Sequence, residues 1–545
     1  MIRELQDELK RAVISYLKNT YGELTGHAIA KIAFGFFDGK FSDAEYDAIT
    51  DTISYNELQT KLSRINEKEF IRKEKGVYYT PEDLVDYILK QSITTYLNLP
   101  NTSLYDFNTK HNRIIIDMTV FDPTCGAGEF LLAALNCKFD CLDNSGEQIT
   151  KQKLDSILKT VNGNDINPDS TAISKLRLFF CTLERYSYKL VNGLEQTINT
   201  LFSCEDFVCA KEGLRKYDLI VGNPPYVEDS KYNGSLDNRF GNIYANVLAN
   251  SVRLLTENGV IGFVIPLSYV STVRMKKIRA ILHDILSQQS IFCFADRPDC
   301  LFTSVHQKLY IVVGKKSDEK KKIITSNYTY WYKEQRSELF DSVQAISNDY
   351  YCTEYIPKLG TEEDVNIYRK VTGCFGGKPI AEWLVSVNKD NTECNSIYLN
   401  MRATFWVKAF MNQHKGAEYK QMHFASKNDA AFIMCLLNSS LFWWFWVAVS
   451  DCWHITNKEL RTFVIPPCDN LDRFVELSEK LEKQLEQTKK YVGTKQTEYE
   501  YKHKECVEII HQIDDEISML FGLTDNECKY IKEFAYEYRV AKGVN

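Results

Sequence analysis

Two consecutive prolines, Pro224 and Pro225, stand just behind a short apolar run, Leu219-Ile220-Val221. Few backbone arrangements accommodate that. The run reads as a buried strand. Proline has a locked φ and no amide donor, so the pair can neither continue a sheet ladder nor enter a helix interior. The stretch Tyr217-Asp218-Leu219-Ile220-Val221-Gly222-Asn223-Pro224-Pro225-Tyr226 therefore reads as a strand that ends in a stiff, extended loop. In open α/β sheets, ligands gather at the C-terminal ends of strands.

A loop of this kind suits transfer of a group to a planar exocyclic amine. The lone pair of a nitrogen such as adenine N6 is delocalised into its ring, which makes it a poor nucleophile. Two acceptors aimed at its two N–H bonds would draw it toward a tetrahedral, more reactive geometry. Asn223 offers a side-chain carbonyl. Pro224 offers a backbone carbonyl on a stiff chain with no competing N–H, and Pro225 adds to that stiffness. Tyr226 offers a flat face for stacking. This is catalysis by positioning and preorganised electrostatics, without a nucleophilic residue. Asn-Pro-Pro-Tyr alone would serve equally well as a strand-ending turn.

The partners of this loop lie upstream. Ile114 to Phe121 reads as a strand. It leads into Asp122-Pro123-Thr124-Cys125-Gly126-Ala127-Gly128-Glu129-Phe130, and Leu131, Leu132 and Leu135 start a helix. A strand, glycine turn and helix form the layout of a cofactor site. No Lys follows the glycines and an Asp precedes them, so this is not a phosphate loop. A carboxylate there would repel phosphate but suits an α-amino group, which favours S-adenosylmethionine. About forty residues later, Gly163-Asn164-Asp165-Ile166-Asn167-Pro168 ends a weak strand, with helix signals through Ile173 and Leu176. Asp165 is placed to accept both ribose hydroxyls, as the acid of dinucleotide folds does; an Asx-type loop is the alternative. Asp206 and Phe207 offer an acceptor and a ring to the cofactor's adenine. Ahead of all these, Thr80 reads as an N-cap with Pro81 at the first helical position, in a helix running through Val85, Ile88 and Leu89.

Thr80-Pro81, the Asp122–Phe130 loop, Asp165, Asp206-Phe207 and Asn223–Tyr226 occur in an order that resembles the γ-type N6-adenine DNA methyltransferases of bacterial restriction-modification. The resemblance covers roughly residues 76 to 315. It implies a Rossmann-like class I methyltransferase domain that uses S-adenosylmethionine. It further implies that Asp122, Pro123, Cys125, Gly126, Gly128 and Phe130 line the methionine side of the cofactor, with Tyr78 and Thr80 beside them. Asp165 and Ile166 would hold the ribose, and Asp206 with Phe207 the adenine. Asn223, Pro224, Pro225 and Tyr226 would hold a flipped-out target base, and Phe302 is the best candidate for a second aromatic against it. No metal enters this reading. The implied reaction is site-specific methylation of adenine N6 in double-stranded DNA. The alternative is an S-adenosylmethionine-dependent N-methyltransferase acting on RNA guanine or a protein glutamine, where the same planar-amine logic holds.

At 545 residues the chain exceeds one ordinary core. Residues 1–75 read as helical, with a structural or docking role. Residues 76–320 are the methyltransferase domain, and 315 to 328 a charged linker. Residues 325–468 read as a mixed α/β target-recognition domain rich in Tyr and Trp, and 469–545 as helices. The aromatics around Trp443, Trp444 and Trp446 are expected in the core. Lys408, His414, Lys415, Lys420, Lys427, His454, Lys458 and Arg461 are the DNA-contact candidates. Leu477, Leu481 and Leu485 face Val507, Ile510, Ile513 and Ile517 as seams of two packed helices. Glu67-Lys68-Glu69 and Lys73-Glu74-Lys75 are charge clusters without strand signals, so no fused nuclease is read. The net charge of −7 excludes a globally basic nucleic-acid coat but leaves room for a local basic cleft. The sixteen cysteines are scattered without a C-x-x-C pair and read as reduced cytosolic thiols. No apolar run reaches a membrane span and the start is not a signal peptide, so a cytoplasmic protein without membrane contact is expected. A single recognition domain implies a monomer, with a separate restriction endonuclease or other defence-system subunit as partner.

Overall fold

The computed structural model describes residues 3–64, 79–99, 109–209, 215–236, 238–302, 307–352, 354–386, 395–414, 416–468, 470–493 and 498–540. The chain forms two compact units. The first comprises Met1–Tyr269, Arg274–Ile291 and Cys300–Ile323; the second comprises Val270–Val273, Phe292–Asp299 and Ile324–Asn545.

The first unit is built on six strands and the start of a seventh: β1 (Val120–Asp122), β2 (Val161–Asn164), β3 (Phe202–Ser203), β4 (Tyr217–Gly222), β5 (Leu255–Pro266), β7 (Leu309–Lys315) and the first four residues of β6 (Gln288–Phe294). Their order is β3-β2-β1-β4-β5-β7-β6. Neighbours from β3 to β5 run parallel, in registers such as Val120 opposite both Val161 and Leu219. Strand β7 is antiparallel to β5, with Val260 opposite Lys315 and Pro266 opposite Leu309. Every residue of β7 is buried, as are the last eight of β5, which is why both read as unbroken apolar runs. This is the class I methyltransferase fold expected from the motifs. The order also sets the site: β2 and β3 lie to one side of β1, and β4 and β5 to the other. The sheet thus reverses between β1 and β4, and a crevice opens at their C-terminal ends.

Helix Glu82–Tyr96 lies against this sheet. Its approach depends on Gly262 of β5, where a Cβ would come within 2.1 Å of Ser92 Oγ. The N-terminal helices Arg3–Thr20, Glu23–Gly35 and Tyr55–Arg64 belong to the same unit. They pack onto the helix that follows β2, Pro168–Arg185: Tyr16 meets Phe180 edge-on at 5.3 Å and Phe36 lies 5.6 Å from Phe179.

Three expectations need correction. Ile114-Ile115-Ile116 is not strand but the end of a helix, Thr109–Asp117, and β1 starts only at Val120. Lys138 of the next helix is 1 % exposed and donates to the carbonyls of Ile115 (2.7 Å), Ile116 (3.0 Å) and Met118 (2.5 Å). A cation so placed satisfies carbonyls that a helix end leaves open. Thr80 is not an N-cap: Pro81 holds that position, and no side chain caps the helix. The charged stretch after β7 is not all linker, since β8 (Lys322–Thr329) begins inside it and pairs antiparallel with β9 (Ala345–Ser347). The lysines sit at its exposed start. Further along, Thr325 is buried and donates to the Leu359 carbonyl at 2.7 Å.

The second unit mixes small sheets and helices. Its three-stranded antiparallel sheet has Asn395–Asn400 between Ala409–Phe410 and Tyr419–Phe424. Helices Lys427–Asn438 and Ser440–Val449 form its most apolar stretch and are bent by 62° at Ser439. Among the described residues no single helix is long and apolar enough to cross a membrane. The indoles of the second helix are buried, and each finds an acceptor: Trp443 the Thr404 carbonyl (2.9 Å), Trp444 Asp364 Oδ1 (2.8 Å) and Trp446 the His454 carbonyl (3.0 Å). These aromatics are core, as expected. Helices Asp472–Thr488 and Val507–Leu520 pack together with Leu477, Leu481, Leu485, Ile510, Ile513 and Ile517 fully buried. Gly522, at φ +61°, ends that segment, and Thr524 with Glu527 forms the capping box of the next helix.

Candidate active site

Asp122 ends β1 and Gly222 ends β4. They come together because position 222 has no side chain: a Cβ there would lie 2.7 Å from Asp122 Oδ1. Asp122 is 2 % exposed, and its Oδ1 accepts from the Thr124 amide at 3.0 Å. Burial, helped by the charge of Asp165, holds its carboxyl well above the usual range, against the pull of that hydrogen bond.

The loop after Asp122 is pinned along its length. The Cys125 amide donates to the Asn164 carbonyl at 2.8 Å and the Gly126 amide to Asp165 Oδ2 at 2.9 Å. Gly126 and Gly128 have φ of +53° and +85°, and Gly128 is the N-cap of helix Glu129–Asp143. A Cβ at Gly128 would lie 2.9 Å from Ser174 Oγ, whose hydroxyl donates to the Gly126 carbonyl at 2.9 Å. Cys125 is buried, and burial pushes its thiol well up, so it is an inert wall. Phe130 is also buried.

Asp165 stands just beyond β2. Its Oδ1 accepts from the Asn167 amide at 2.8 Å, the Asx-type turn that the sequence left open. A carboxylate so placed presents acceptor oxygens at the end of β2. Ile166 beside it is 67 % exposed, a large apolar side chain at the sheet's C-terminal edge. Asn164 ties three loops together: its Nδ2 donates to the carbonyls of Pro123 (3.0 Å) and Glu205 (2.9 Å), and its Oδ1 accepts from Ser203 Oγ (2.8 Å). Asp206 accepts from the Val208 amide and the Tyr232 hydroxyl. The Phe207 ring lies 5.7 Å from that of Phe121. A cavity of about 190 Å³ opens there, lined by Phe121, Asn164, Asp206, Phe207, Tyr217 and Asn250 among others.

Pro224 is buried, while Asn223, Pro225 and Tyr226 are half-buried. Asn223 Nδ2 donates to Thr80 Oγ1 at 3.1 Å, and its Oδ1 lies 2.6 Å from the Tyr226 hydroxyl. That hydroxyl is also 2.9 Å from the Val264 carbonyl of β5. Thr80, Asp122, the glycine loop, Asp165, Asp206 and Asn223–Tyr226 are thus linked through successive contacts. Phe302 is different: it is 2 % exposed, and its carbonyl accepts from Cys300 Sγ at 3.0 Å. Tyr78 lies outside the described residues, as does Lys415 in the second unit.

Sequence reasoning missed the supporting residues. Arg177, 3 % exposed, makes a two-pronged pair with Glu129 (2.6 and 3.0 Å). It also donates to the Ala127 carbonyl (2.8 Å) and to Gln59 Oε1 (2.8 Å). One buried guanidinium therefore joins the glycine loop to an N-terminal helix. Nothing in the spacing of 59, 129 and 177 announces it. Asn164 had a signal, its place beside Asp165.

The second unit sorts the basic candidates. Lys458 Nζ donates to the carbonyls of Ser271 and Val449, both at 2.6 Å, and pairs with Glu459 at 3.1 Å, so it is structural. Burial lowers His414 to about 4, and its ring lies 4.0 Å from Phe410. Lys427 pairs with Glu479 at 2.9 Å. Lys408 is half-buried, Lys420 and His454 are exposed, and Lys420 reaches Asn457 Oδ1 at 3.4 Å.

Residues 159–297 match the Eco57I restriction-modification methylase family. The chain is similar to the modification methylase CviBIII of Paramecium bursaria Chlorella virus NC1A, at 24 % identity over 314 residues, covering 56 % of this chain and 61 % of the relative. It is also similar to the type II methyltransferase M.BstVI of Geobacillus stearothermophilus, at 25 % identity over 224 residues, covering 38 % of this chain and 36 % of the relative. This chain therefore spans less than two thirds of either relative. Among solved structures, the type IIL restriction-modification enzyme MmeI in complex with DNA shares the fold with a TM-score of 0.52 at 12 % identity, over 92 % of this chain and 84 % of that one.

Proposed function

We propose that this chain, whose central domain is of the γ-type restriction-modification DNA methyltransferase family, transfers methyl groups from S-adenosylmethionine to adenine N6 in duplex DNA. The carrying observation is Asn223 at the C-terminal end of β4, at the point where the sheet reverses, with a buried proline behind it and the β1 carboxylate alongside. Asn223 Oδ1 and the Pro224 carbonyl accept the two N–H bonds of the target amine and draw its lone pair out of conjugation. Tyr226 gives the base a stacking face. The amine's surplus proton leaves to water, so no general base is needed.

The residues present fit the cofactor. The positive-φ glycines open a cradle beside Asp122, Asp165 sets a carboxylate at the end of β2 for the ribose hydroxyls, and Asp206 and Phe207 line a cavity beside it. When bound, S-adenosylmethionine supplies an electrophilic methyl group. The target adenine must leave the stack to reach Asn223, at a cost of about a few kcal/mol that stacking and backbone contacts offset. The second unit serves as the recognition domain, with Lys420, Lys427, His454 and Arg461 the exposed ones among the expected contacts. Duplex DNA is favoured over RNA or protein acceptors by the modification methylases among the relatives and by the DNA bound in the solved neighbour. We read the enzyme as a cytoplasmic monomer that works with, or protects against, a separate restriction endonuclease.

The test is transfer of label from S-adenosylmethionine to bacterial duplex DNA lacking adenine methylation, with Asn223→Ala in parallel and the nucleosides separated. Label in N6-methyladenine that disappears in the variant is the expected result. Cofactor binding with no label in DNA overturns the reading and moves the search to RNA guanine and protein glutamine.

A further inference from the structure

Asn223 sits in the middle of a short hydrogen-bonded chain. Thr80 Oγ1 lies 3.1 Å from its Nδ2, and the Tyr226 hydroxyl 2.6 Å from its Oδ1. The Val264 carbonyl lies 2.9 Å beyond that hydroxyl. Thr80 is 5 % exposed, and its side chain does not cap the helix that starts behind it. Its buried hydroxyl is turned to Asn223 instead.

An asparagine amide has two ends of similar shape and opposite chemistry. Only the oxygen helps an amine acceptor; the nitrogen would set donors against the amine's own N–H bonds. In the structure the amide oxygen faces the Tyr226 hydroxyl, which donates to it, and the nitrogen faces Thr80 Oγ1, which accepts from it.

We infer that Thr80 is a positioning residue for transfer: its hydroxyl accepts the Asn223 Nδ2–H and keeps Asn223 Oδ1 turned toward the incoming amine. The inference rests on the proposed role of Asn223, and it gives Thr80 a task other than the cofactor contact implied by resemblance. It also explains the Val264 carbonyl. In the free enzyme the Tyr226 hydroxyl holds the oxygen that the amine must use. A second acceptor 2.9 Å away lets that hydroxyl swing its hydrogen aside when the amine arrives, so no half-buried donor is stranded.

Thr80→Val keeps the branched shape and removes the acceptor; Thr80→Ser keeps the acceptor. We would measure S-adenosylmethionine affinity by equilibrium binding and the single-turnover rate with saturating cofactor on duplex DNA. Thr80→Val is expected to leave affinity unchanged and lower the rate by about tenfold to a hundredfold, and Thr80→Ser to restore most of it. Weaker cofactor binding with an unchanged saturated rate overturns the inference in favour of a cofactor contact. Equal loss in both variants overturns it in favour of a packing role. A second readout does not depend on activity. With asparagine selectively labelled with nitrogen-15, and the Asn223 side-chain signal identified by its absence in Asn223→Asp, hydrogen exchange of that amide should be slow in the wild type and fast in Thr80→Val. Equal exchange overturns the inference. If the wild type transfers no methyl to DNA, the functional reading fails while the amide signal still decides the role of Thr80.

Discussion

Gly128 and Gly126 share a left-handed backbone, but their surroundings differ. A Cβ at Gly126 would meet nothing within 4 Å, whereas at Gly128 it would lie 2.9 Å from Ser174 Oγ and 3.4 Å from the Ser174 Cα. Gly126→Ala should therefore bring only the backbone strain, roughly 1–2 kcal/mol. Gly128→Ala should bring that strain and also push Ser174 off the Gly126 carbonyl, so it should weaken cofactor binding more. Denaturant midpoints and cofactor affinity of the two variants check this; equal affinities would contradict the role given to Ser174. The same scale explains the reach of Arg177. A buried guanidinium has five donors in a fixed fork, and here they are used on Glu129, Ala127 and Gln59 at once.

Helix Ser440–Val449 shows how an apolar element is anchored by a few polar atoms. Its first amide, Ser440 N, donates to Asp514 Oδ1 at 2.7 Å. Asp514 is fully buried, and burial pushes its carboxyl up from 3.8 to about 6. The folded state thus holds that proton more tightly than the unfolded chain. Stability from this group is present below about pH 4, declines as pH rises toward 6, and stays lost above it. Asparagine keeps the acceptor without the charge. Asp514→Asn should be more stable than the wild type at pH 8, by about 1–3 kcal/mol, with the gap closing near pH 4. Thermal unfolding at both values decides it; a gap that does not change with pH would refute the assignment.

On the scale of the molecule, the N-terminal helices belong to the core of the first unit rather than hanging from it. Tyr16 and Phe36 pack on Phe180 and Phe179, the Tyr16 hydroxyl donates to Glu184 Oε2 at 2.6 Å, and Gln59 bonds Arg177. A chain starting at residue 65 should expose that face and leave Arg177 with a lost acceptor. We expect poor solubility or a broadened, lowered melting transition, together with weaker cofactor binding through the glycine loop. A truncated protein that melts and binds cofactor like the full chain would show the helices to be an attachment. In the second unit, the C-terminal helices are likewise part of the body that holds the three tryptophans.

The glycine loop, the acids beyond β2 and β3, and Asn-Pro-Pro-Tyr could be read from the sequence because their chemistry is local: left-handed turns need glycine, and paired prolines end a strand. So could the long buried strands and the amphipathic C-terminal helices, whose apolar periods are carried by neighbouring residues. What the sequence could not determine depends on distant partners. Ile114-Ile115-Ile116 has an apolar run that suits strand or buried helix, and only the tertiary structure puts Lys138 under its carbonyls. Thr80 and Asn223 are 143 positions apart, and the bond between them exists only because the sheet brings the end of β4 beside the segment before helix Glu82–Tyr96. The tertiary structure likewise turned Lys458 to two backbone carbonyls, buried Phe302 and joined Gln59 to Arg177. Local backbone rules write the motifs into the sequence, but a side chain's partner is a long-range property that belongs to the packed chain.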